Sequence, residues 1–126
     1  LPVAEEMQMG ITIGMALNGQ VPVSLFPRWN FLLLATNQLI NHLDKIPLYS
    51  PFRPKCIIRT GIGSEWPLHP QHQHVGDFTE AFRLMSKTLD IIRLDEPEQI
   101  FPAYQKAYES NHSTILVEWG DYYNEK

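Results

Sequence analysis

The chain has 126 residues, 44% hydrophobic and 19% charged, with a formal net charge of −4. That length supports one domain with its own core, and the absence of a basic block argues against nucleic acid or an anionic membrane as main partner. The lone cysteine, Cys56, excludes an internal disulfide and fits a reducing, cytoplasmic setting, and the longest apolar run, residues 31–35, is too short to cross a bilayer.

Residues 5–18 read as a helix that is apolar almost all round, through Met7, Met9, Ile11, Ile13, Met15 and Leu17. Burial is therefore expected, with a stop at Asn18-Gly19. Val21 to Phe26 is a short β-prone run. Residues 30–45 have helical apolar spacing at Phe31, Leu34, Ala35, Gln38, Leu39 and His42. Lys55 to Thr60 reads as a strand running into Gly61 and Gly63, and residues 61–74 as a loop rich in glycine, proline and histidine. A helix over 76–87, a strand over 89–94, a helix over 97–109 and a strand over 113–119 complete the series. This alternation predicts a single α/β domain over residues 1–126, with a mostly parallel sheet flanked by helices. Functional loops of such sheets gather at the carboxyl ends of the strands, which singles out 27–30 and 61–74.

Three stretches could carry chemistry. Glu5 and Glu6 stand at the start of the apolar helix, where acids favour the helix dipole and ordinarily face solvent. A carboxyl drawn inward by that helix could instead exchange a proton with a ligand. His69, His72 and His74 crowd the loop at 61–74. Surface histidines, a proton-handling histidine at a pocket mouth and a metal site are the three readings; the ligand spacing for a metal is a weak signal, and no metal is assigned. Phe26, Trp29 and Phe31 surround Arg28 at a strand-to-helix turn. Phe26 and Phe31 read as core, while Trp29, in the turn itself, could offer a flat face to a ring.

Taken in order, these stretches resemble the pyrimidine-binding domain of transketolase-like, thiamine-diphosphate-dependent enzymes, above all the beta subunit of the 2-oxoacid dehydrogenase decarboxylase component. The residues that carry the resemblance are Pro2, Glu5, Gly10, Gly14, Gly19 and Pro22, then Asn30-Phe31, Gln38, Asn41 and Lys45, the Arg59 strand, Gln71-His72 and Glu118. It covers nearly the whole chain. It implies that Glu5 hydrogen-bonds a ring nitrogen of the cofactor's aminopyrimidine, and that protonation there favours the imino tautomer able to deprotonate the thiazolium carbon. Such acid–base terms contribute roughly 10²–10⁴-fold. By the same resemblance Phe26 and Trp29 contact the cofactor, Trp29 standing where a smaller stacking aromatic is usual. His72 lines the substrate side, with His74 as a substitute.

Gly10 and Gly14 each cost about 1 kcal/mol against alanine in a helix interior. The resemblance explains them as the bare side of a helix that packs on its counterpart across a subunit interface. It also implies what lies outside this stretch: a first strand and helix upstream of Pro2, and a partner domain or subunit that binds the diphosphate through Mg²⁺ with a Gly-Asp-Gly motif. No Gly-Asp-Gly occurs here. The expectation is half of a thiamine diphosphate site in a cytoplasmic homodimer or heterotetramer that decarboxylates a 2-oxo acid or transfers a ketol or acyl group, with little activity in this chain alone. A non-catalytic dimerisation module of the same fold is the alternative, and a histidine-loop metal-binding domain a weaker one.

Overall fold

Aliphatic and β-branched runs at 57–58, 91–92 and 114–117 become the strands of one sheet. The computed structural model describes residues 2–63 and 69–124. In chain order it contains α1 (Glu5–Leu17), β1 (Val23–Leu25), α2 (Trp29–Leu32), α3 (Ile46–Tyr49), β2 (Ile57–Ile62), α4 (Thr79–Met85), β3 (Asp90–Leu94), α5 (Ile100–Glu109) and β4 (Thr114–Trp119). The four strands are all parallel, in the order β1-β2-β4-β3, and helices flank the sheet. The α/β class read from the sequence is the architecture observed.

The strand order explains how the helices divide. From β1 to β2 and on to β3 the chain moves one way across the sheet; from β3 to β4 it steps back. Right-handed crossovers then put α5 on the opposite face from the earlier helices. The larger core joins Met9, Ile13 and Ala16 of α1, Phe26, Trp29 and Leu32, Phe82 of α4, and Ile58, Ile62, Ile115 and Val117 of the strands. The smaller core joins Ala103 and Ala107 of α5 to Ile57, Leu94 and Leu116. Alternate residues of β2 and β4 thus serve the two faces, as expected of a sheet covered on both sides.

Helix α1 ends where the sequence predicts. Gly19 adopts φ +85°, its N–H donates to Ala16 O and that of Gln20 to Met15 O, a Schellman stop. The expected burial all round is corrected: Met9, Thr12, Ile13 and Ala16 face the core, while Met7 and Ile11 are 46% and 40% exposed. Gly10 and Gly14 lie on the open side, with nothing within 4 Å of where a Cβ would sit.

The helix expected over 30–45 is a composite. α2 passes through a 3-10 turn (Leu33–Ala35) into a π-helical stretch (Asn37–Leu43). The wider turn changes which positions face inward. Ala35, Leu39 and Leu43 are buried at a spacing of four, while Leu34 and His42, which a regular helix would align with them, are exposed. It also delivers Asp44 to the interior. That carboxylate is 0% exposed and accepts hydrogen bonds from the backbone N–H groups of Lys87 (2.8 Å), Thr88 (2.7 Å) and Leu89 (3.2 Å). It therefore fixes the entry to β3. The expected helix over 76–87 shortens to α4, and that over 97–109 is a 3-10 turn (Pro97–Gln99) followed by α5.

Candidate functional site

The amino end of α1 meets the carboxyl end of β1. Gln8 makes the join: its side-chain amide donates to Ser24 Oγ (3.0 Å) and Leu25 O (2.8 Å). The join frames a cleft of about 340 Å³, lined by Pro2, Val3, Ala4, Glu5, Gln8, Phe26, Pro27 and Phe31. Its walls are mainly apolar. Glu5 is half-buried there, whereas Glu6 is exposed. Among the described residues the Glu5 carboxylate has no side-chain hydrogen bond and no ion pair. A carboxylate on an apolar wall without a protein partner is an acceptor, or when protonated a donor, held ready for a ligand.

Two aromatic positions differ from expectation. Trp29 is 0% exposed and packs on Phe82, with ring centroids 4.7 Å apart, inside the larger core. It does not line the cleft, so the stacking role expected of it is corrected to a core role. The ring that does reach the cleft besides the buried Phe26 is Phe31, read from the sequence as core. Phe31 is half-buried and stacks on His74, with centroids 5.1 Å apart and planes 18° apart.

The histidine segment divides likewise. Residues 64–68 lie outside the described residues. His69 and His72 are exposed, while His74 is half-buried against Phe31 and its Nδ1 is enclosed without a hydrogen-bond partner. His69 Nδ1 accepts from the Gln71 N–H. Among the described residues no group of three or more His, Cys, Asp or Glu could hold a metal ion. Among the described residues no hydrogen bond, ion pair or ring stacking joins His72, the expected substrate-side histidine, to the Glu5 cleft, whereas His74 is joined to it through Phe31.

Arg28 organises this corner, a role that local sequence reading missed. Its guanidinium donates to Gly63 O (2.8 Å) and His74 O (3.2 Å), tying the end of β2 and the histidine turn to the β1–α2 connection. Gly63 has φ +65° and stands 3.1 Å, at its missing Cβ, from the Trp119 ring, so a side chain there would be both strained and crowded. On the other face of the sheet Glu118, 4% exposed, takes a hydrogen bond from Arg59 Nε (2.8 Å) and one from the Tyr104 hydroxyl (2.7 Å). The resemblance included Glu118; it is the buried partner of a half-exposed Arg59 in an ion pair that braces β2 and β4.

Cys56 is buried at the start of β2. Burial pushes its thiol up to about 11, against a smaller lowering by the Ser113 hydroxyl. A thiol so protonated is a poor nucleophile. Among the described residues no helix is long and apolar enough to cross a membrane. No protein-family model matches the chain, and neither does any curated protein.

Proposed function

We propose that this chain is the pyrimidine-binding half of a thiamine-diphosphate-dependent enzyme acting on a 2-oxo acid or a ketol or acyl donor. The observation that carries the reading is the unpartnered Glu5 carboxylate on the wall of an apolar cleft with Phe26 and Phe31. The donor set fits a flat aminopyrimidine: one carboxyl for a ring nitrogen, aromatic and aliphatic walls for the ring, and Gln8 beside them. Glu5 would hold the proton at that nitrogen. Glu6 stays in water at the helix start. Thiamine diphosphate, when bound, supplies the carbanion chemistry; its Mg²⁺ and diphosphate fall to a partner domain or subunit. On the substrate side we assign proton handling to His74 rather than His72, because His74 stacks on Phe31, which lines the cleft.

The cleft is open on one side, and the same helix presents Met7, Gly10, Ile11 and Gly14 to solvent. A second protomer packed on that side would cover both. Closing the cleft would strengthen every polar contact within it. This supports an assembled enzyme, a homodimer or a heterotetramer, rather than an active single chain. The same exposed face also favours the second reading, a dimerisation module without catalysis.

Turnover separates the two. The chain is combined with a candidate diphosphate-binding partner, thiamine diphosphate and Mg²⁺, and 2-oxo acid decarboxylation is measured. The proposal expects cofactor-dependent turnover that falls roughly 10²–10⁴-fold in Glu5→Gln with the assembly intact. Assembly without cofactor binding would favour the dimerisation module. Full activity from the chain by itself would contradict the half-site.

A further inference from the structure

The amino ends of β2 and β4 form a second, chemically different cleft at the far end of the sheet from Glu5. It also measures about 340 Å³, and Arg53, Lys55, Asn111 and His112 line it. Each of these side chains can donate a hydrogen bond, and no carboxylate is among them. In a chain of net charge −4, this cleft brings two permanent cations together with an amide and an imidazole.

Both cations are held from behind. Arg53 Nη1 donates to Ser50 O (2.8 Å) and Phe52 O (3.0 Å). Lys55 Nζ donates to Tyr108 O (2.7 Å), a carbonyl of the last turn of α5, and lies 5.3 Å from the centre of the Tyr108 ring. A guanidinium has five N–H donors and an ammonium three, so these bonds orient the heads and still leave N–H groups for a ligand. Asp90 stands beside the cleft. Its carboxylate faces His112 Nδ1 at 3.7 Å and the Ser110 hydroxyl at 3.4 Å, and is not part of the lining. Less ordering entropy is then lost on binding than with two free side chains.

We propose that this cleft binds a small dianionic oxyanion of the phosphate type, independently of the Glu5 site. Charge-assisted hydrogen bonds from Arg53 and Lys55 supply the attraction, with Asn111 and His112 completing the donor set. The shared chemistry is a phosphate group, either the free ion or the terminal group of a small phosphomonoester.

The test is a titration of this chain followed by backbone and side-chain amide NMR at constant ionic strength, with inorganic phosphate in one arm and glycerol phosphate in the other. The expected result is saturable shifts in the millimolar range at residues 53, 55, 111 and 112 in at least one arm. The arm that saturates first identifies the free ion or the ester as the source. Arg53→Ala and Lys55→Ala each weaken that binding about tenfold, and the resonances of Glu5, Gln8 and Phe31 do not move. Both substitutions are at solvent-facing heads, and unchanged spectra elsewhere establish that the variants fold. Shifts that grow linearly and spread over lysines and arginines across the surface, or an affinity indifferent to both substitutions, would overturn the proposal.

Discussion

Two carboxylates in this chain have opposite surroundings. Asp44 is enclosed and accepts three backbone N–H bonds from the turn before β3. Glu5 is half-buried on an apolar wall and accepts none among the described residues. An acid enclosed in the fold and already holding several of the protein's own donors is scaffold, since a ligand would have to displace bonds already made. An acid drawn partly out of water without a replacement for the lost hydration gains most from an added donor. The comparison sets an acid committed to stability beside one whose hydrogen-bonding capacity is left for a ligand's donor.

The largest expected effect sharpens the scaffold side. Asp44→Ala strands three N–H groups at once, and the chain should lose about 3–4 kcal/mol of stability. Urea denaturation measures it; a change under about 1 kcal/mol would mean that the turn finds other partners.

Cys56 extends the comparison to a buried group with little compensation. Its folded value, about 11, lies above the ordinary 9.0, so the fold favours the neutral thiol. The resulting stability is complete below pH 9 and is lost as pH rises toward 11. The denaturation midpoint of wild type should fall over that window relative to Cys56→Ala, and parallel curves would contradict the burial argument.

Gly10→Ala tests the open side of α1. With nothing near the added methyl, the isolated chain should gain about 0.5–1 kcal/mol from helix propensity. If the exposed face packs on a second protomer, the same substitution should weaken association. The smallest expected effect is on the stability of Glu5→Gln, within about 0.5 kcal/mol of wild type. A large loss there would make Glu5 a second Asp44 and remove the contrast.

Much of the fold was legible because its signals are local. The runs 57–58, 91–92 and 114–117 mark three of the four strands, and Asn18-Gly19 marks the end of α1. Of the cleft, the chain order brought Glu5 and Phe26 together, whereas Trp29 lies in the core and Phe31 reaches the cleft wall. Nothing local decides between two aromatics two positions apart: Trp29 is buried by Phe82, more than fifty residues on, and Phe31 is turned toward His74. Arg28 was hidden for the same reason, since both carbonyls that it holds are distant in sequence. The π-helical stretch escaped because apolar spacing was matched to a regular turn, whereas 35, 39 and 43 follow a wider one. The uncovered face of α1 could not be read from hydropathy, which reports that a surface avoids water and not which chain covers it.

The measurement that bears most directly on the central claim is a titration of the chain with the free aminopyrimidine of thiamine, followed by NMR in wild type and Glu5→Gln. The account predicts saturable shifts confined to Glu5, Gln8, Phe26 and Phe31, lost on removing the carboxylic acid while the spectrum elsewhere stays native. Binding that leaves those residues untouched, or that survives Glu5→Gln with equal affinity, would contradict it.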